Sequence, residues 1–129
     1  MANAREFHTQ QVHYLRKTIT YADDGTTVTV GTIPAGSLIL KPISGVSVTT
    51  VFNAGTTNVA DMGPSTDSGT DLWATDLSLA TAGFVALDEA VTLLVSVATT
   101  VQIAVDLTGT AATTGAAEVV ICYIPDNDG

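Results

Sequence analysis

Apolar and polar positions alternate along most of this chain, and turn residues interrupt the alternation at short, roughly regular intervals. Period-two alternation places successive side chains on opposite faces of a strand, so one dry face and one wet face are expected. Residues 12–21 read as a strand with Leu15, Ile19 and Tyr21 on one face. The Asp23-Asp24-Gly25 turn then leads to a second strand, 26–33, with Val28 and Val30 opposite Thr27 and Thr29. These two are expected to form an N-terminal hairpin. Residues 37–43 are apolar on both faces, and 46–52 alternate with Val46, Val48, Thr50 and Phe52 together. A short strand is predicted at 58–62 and a polar loop at 63–71. Residues 72–82 carry weak helical spacing at Leu72, Asp76, Leu79 and Ala80, which predicts a short helix. Strands follow at 83–87, 91–98, 101–107 and 116–124. In the third of these Val101, Ile103, Val105 and Leu107 point inward, and in the last Ala117, Val119, Ile121 and Tyr123 do. In 91–98 the inward set is Val91, Leu93, Val95 and Val97.

Eight or nine short strands with turn chemistry between them describe an all-β fold, an antiparallel β-sandwich of jelly-roll type. Residues 1–11 read as an extended N-terminal arm, 12–125 as the sandwich domain and 126–129 as a solvated C-terminal tail. Composition agrees. Among 129 residues there are 22 Thr and 15 Val, whose branching at Cβ suits a pleated surface. With 46% apolar and only 13% charged residues, the chain is the reverse of a disordered one.

Charge narrows the function. The net charge is −9, and all four cations, Arg5, Arg16, Lys17 and Lys41, precede residue 42. Such an acidic body repels phosphate, which excludes DNA or RNA as a surface ligand. The longest uncharged apolar region, 90–105, is shorter than the roughly 20 residues that span a bilayer. No secretory signal pattern opens the chain. The lone Cys122 has no intrachain disulfide partner, which points to a reducing cytoplasm.

Candidate chemistry is sparse. No G-x-S-x-G elbow and no phosphate-binding glycine loop occurs. Neither catalysis nor a cofactor is expected. Cys122, in a Val-Ile-Cys-Tyr context without a nearby cation, reads as a packing residue. Asp61, Asp67, Asp71 and Asp76 cluster, but lack the order of an EF-hand, so a solvated loop is the default over a calcium site. His8 and His13 are spaced poorly for one strand face. Trp73 is the only aromatic candidate for a sugar platform, and core or interface packing is its expected role. The remaining signal is structural. Val120, Cys122 and Ile124 form a second apolar face on the last strand, and Ile39 and Ile43 do the same earlier. A monomeric sandwich keeps its outer faces polar, so these five residues are candidates for a subunit interface; cover by the arm or by 63–82 is the alternative.

Four stretches carry a family resemblance. Three are the IPAG turn at 33–36, the V-x-V-x-T-x-F-N-x-G-T run at 46–56 and the D-x-G at 61–63. The T-G-T-x-A-T-x-G loop at 108–115, before a Val-rich last strand, belongs with them. Together they resemble tailed-bacteriophage capsid decoration, or cement, proteins across most of 16–124. The resemblance implies a non-enzymatic virion component, made in the bacterial cytoplasm, that trimerises on the outer capsid surface against the major capsid protein. Arg5, His8, His13, Arg16 and Lys17 are the candidate contacts to that partner. A tail- or fibre-associated virion protein and a carbohydrate-binding jelly-roll module are the competing readings.

Overall fold

The computed structural model describes residues 12–67, 69–89 and 94–126. Nine strands run through them: β1 (His13–Thr20), β2 (Thr27–Ile33), β3 (Leu38–Ile39), β4 (Gly45–Thr50), β5 (Thr57–Pro64), β6 (Ala74–Ser78), β7 (Gly83–Ala86), β8 (Thr99–Thr108) and β9 (Ala116–Ile124). They form two antiparallel sheets. One has the order β1-β9-β4-β7, with β3 pairing the end of β9; the other has the order β2-β8-β5-β6. Below they are called sheet A and sheet B. The all-β sandwich is therefore as the alternation implies.

The core lies between the sheets and is built from the inward set of each strand. Val101 and Ile103 of β8 and Val119 and Ile121 of β9 are wholly buried, and the rest of both predicted inward sets is buried with them. These strands are central, so one face is dry along its full length and the period-two signal is clean. Phe52 closes one end of the core. Its ring packs where a Cβ on Gly115 would lie only 2.5 Å away, so the chain before β9 has no room for a side chain there. Buried hydroxyls are satisfied. Ser44 Oγ donates to Leu40 O at 2.8 Å and accepts from Cys122 N at 2.9 Å, and Ser37 Oγ donates to Pro34 O at 2.8 Å.

Four local expectations are corrected. The N-terminal hairpin does not form: β1 pairs with β9 and β2 with β8, so the Asp23-Asp24-Gly25 turn carries the chain from one sheet to the other. Asp24 holds that crossing by accepting the Leu107 N–H at 2.9 Å. Tyr21 falls in a 3-10 turn there and is exposed. Residues 37–43 are not one strand. Pro42 has no N–H to give a ladder, and after the two-residue β3 the chain turns through a 3-10 segment, Lys41–Ile43. Residues 72–82 hold β6, not a helix. Ala74, Leu77 and Leu79 are buried, a spacing of three then two that breaks the period-two alternation. The cause is a bulge. Ala60 pairs Leu77 and Met62 pairs Ala74, so Thr75 and Asp76 together oppose Asp61, and Asp76 takes a φ of 54°. Finally, residues 94–98 form no strand beyond one bridge from Leu94 to Leu38. Val95 points inward as predicted, but Val97 is 66% exposed. Val91 and Leu93 lie outside the described residues.

Candidate docking surface

The outer face of sheet A can be read row by row from its pairing. Thr18, Glu118, Ser47 and Phe84 form one row, and Arg16, Val120, Gly45 and Ala86 the next. Tyr14 and Cys122 follow, then Ile124 beside Leu38. Ile43 joins the third row, since its carbonyl oxygen lies 3.8 Å from Cys122 Sγ. The first row is polar except for Phe84 at its β7 end, and the others become apolar toward the start of β1. Tyr14 is 60% exposed and Ile43 51%, and Leu38, Phe84 and Ile124 are exposed as well. Large apolar side chains grouped this way on one face are what a covered surface requires. Gly45 keeps the face flat. A Cβ there would meet the Val85 carbonyl oxygen at 2.0 Å, so only Gly lets β7 pair so closely with β4.

Among the described residues one ion pair lies on this face. Arg16 Nη2 lies 2.7 Å from Glu118 Oε1, and Arg16 Nε donates to the same oxygen at 2.9 Å. Thr18 Oγ1 donates to Glu118 Oε2 at 3.0 Å. Burial pushes the Cys122 thiol above its usual range, which keeps it a neutral packing group.

Sheet B presents the opposite surface. The partners of its inward residues place Thr27, Thr29, Gln102, Asp61, Asp106 and Ser78 outside. Desolvation raises the Asp61 carboxyl above its ordinary value, as do the charges of Asp76, Asp71 and Asp106, while the Asp76 N–H, donating at 2.7 Å, lowers it. Asp67 is lowered instead. Its carboxylate accepts the N–H groups of Asp71 and Leu72, both at 2.9 Å, and of Gly69 at 3.3 Å. The acidic loop thus binds its own backbone. Among the described residues no group of three or more His, Cys, Asp or Glu is arranged to hold a metal ion.

Of the predicted contact residues, His13, Arg16 and Lys17 are described, and these three stand apart. Arg5 and His8 lie outside the described residues. Arg16 is engaged with Glu118, Lys17 points from the other side of β1, and the His13 ring lies against Tyr123 with centroids 5.8 Å apart. Of the five predicted interface residues, Ile43, Val120, Cys122 and Ile124 share the outer face of sheet A. Ile39 does not: at 1% exposure it is part of the protein's own core, because the turn at Lys41–Ile43 breaks its phase with Ile43. Trp73 takes the packing role expected of it. It is 3% exposed, packed in the core at the floor of a cleft of about 360 Å³ lined by Pro64, Thr66, Leu94, Val97 and Thr100. No charged side chain lines that cleft. Tyr14, Leu38 and Phe84 were not singled out from the sequence. For Tyr14 the signal was present, since Leu15 and Ile19 inward put Tyr14 outward.

No protein-family profile matches the chain, and no curated protein matches it in sequence. A solved structure does match in fold: a chain of the cyanophage Pam1 capsid asymmetric unit, with a TM-score of 0.66 and 15% identity over 91% of this chain and 86% of that one. The two share an all-β architecture across nearly their whole lengths. Among the described residues no helix is long and apolar enough to cross a membrane.

Proposed function

We propose that this chain is a virion structural protein of a tailed phage, binding the outer capsid surface as an oligomer and stabilising the lattice. The observation that carries this reading is the end-to-end fold likeness to a chain from a phage capsid asymmetric unit. The phage-type turns at 33–36, 46–56 and 108–115 point the same way. So does the strand order: leaving β3 aside, successive strands divide between the sheets as two interleaved Greek keys would place them, which favours a jelly roll. Fold alone does not fix function, and the apolar outer face of sheet A supplies the second support. A decoration role needs a rigid body with a surface that stays dry in the particle. Its mechanism is mechanical: each oligomer touches several neighbouring capsid subunits, and simultaneous engagement raises the effective affinity without any single strong contact.

A carbohydrate-binding module is disfavoured by the burial of Trp73. A tail-associated position is separated by copy number. Electron cryo-microscopy of purified particles carrying the chain is expected to show it at a copy number that scales with the capsid lattice. Density at a single vertex, or none, would overturn the decoration reading.

A further inference from the structure

We infer that the outer face of sheet A is the contact between copies of this chain, covered in the assembled protein by a second copy. This rests on the oligomeric reading above and specifies its contact. Two observations choose the occupant. The first is charge. On the outer face of sheet B the carboxylates of Asp61, Asp76 and Asp106 stand together, while on sheet A the Glu118 carboxylate is neutralised by Arg16. Copies that each carry a charge of −9 repel one another. They approach at least cost through sheet A, which keeps the acidic faces apart. The second is composition. A surface that meets a transient partner is no more apolar than the rest of a protein, whereas the centre of a contact between identical chains is apolar, aromatic and poor in charge. Tyr14, Leu38, Ile43, Phe84, Val120 and Ile124 have that composition, and among the described residues the two charges in its rows, Arg16 and Glu118, are paired with each other. The surface that matches it is the same face on another copy.

The test uses the full chain and the double variant Tyr14→Glu/Ile43→Glu. Both positions are exposed, so the fold tolerates the change, and far-ultraviolet circular dichroism with a melting curve checks that it does. Thr29→Glu, on sheet B, is the control. Sedimentation equilibrium is expected to show an oligomer for the unaltered chain and for the control. For the double variant the dissociation constant should rise by about 100-fold or more, because two buried carboxylates per copy find no partner. A monomeric unaltered chain, or a folded double variant that associates as before, would overturn the inference. Co-sedimentation of the same proteins with capsid particles separates the two proposals. A monomer that binds particles through this face sinks the second-copy contact and leaves the virion role standing. An oligomer that binds no particle does the reverse.

Discussion

Asp61 faces Asp76 across the β6 bulge, with Asp71 and Asp106 near, and this site has a readable pH signature. An acid raised above its ordinary value of 3.8 in the native state costs stability wherever it is ionised. The cost is absent below the unfolded value and complete above the native one. Asn at this position keeps an oxygen for the Asp76 N–H but carries no charge. Asp61→Asn is therefore expected to raise the melting temperature at pH 7, with the gain fading as the pH falls to about 3. Melting curves at both pH values check it; a lower melting temperature at pH 7 would mean that the charged hydrogen bond outweighs the repulsion. Little of this was visible beforehand. The acids could be seen to cluster, but which one anchors a loop and which one opposes a bulge depends on backbone N–H groups that no spacing reveals.

Strands differ in how plainly they announce themselves, and the difference is physical. β8 and β9 have neighbours on both sides and one dry face, so their alternation is complete. In β8, Ile103→Ala is expected to cost about 2–5 kcal/mol, since the buried site does not collapse around the lost atoms. Its neighbour Gln102→Ala, on the outer face, should stay within about 0.5 kcal/mol. Urea unfolding with an unchanged slope checks both, and equal losses would contradict the assigned faces. The misread elements each have one local cause. β6 is shifted in phase by its bulge, 37–43 is cut by Pro42, and β1 and β2 look like a hairpin only because pairing partners are not written next to each other. The docking face was half legible for the same reasons. Val120, Cys122 and Ile124 follow from the parity of β9, whereas Leu38 and Phe84 join them only through pairing across the sheet.

Among the described strands only β5 and β6 pair as sequence neighbours; the other pairings join strands distant in the chain, as when Ile19 meets Ala117. Loop-closure entropy must be overcome before such contacts form, so folding is expected on a scale of milliseconds to seconds. Stopped-flow fluorescence of the buried Trp73 would follow it, and a transition complete within about 100 microseconds would contradict this topology. One consequence concerns β9, the last of the described strands to be made, which lies between β1 and β4. Until it arrives, Tyr14, Ile43 and Leu38 have no common sheet to stand on. A chain interrupted before β9 then lacks the face proposed above for the contact between copies, so that contact would admit finished subunits and pass over fragments. In that assembly the order of strands would act as a proofreading step.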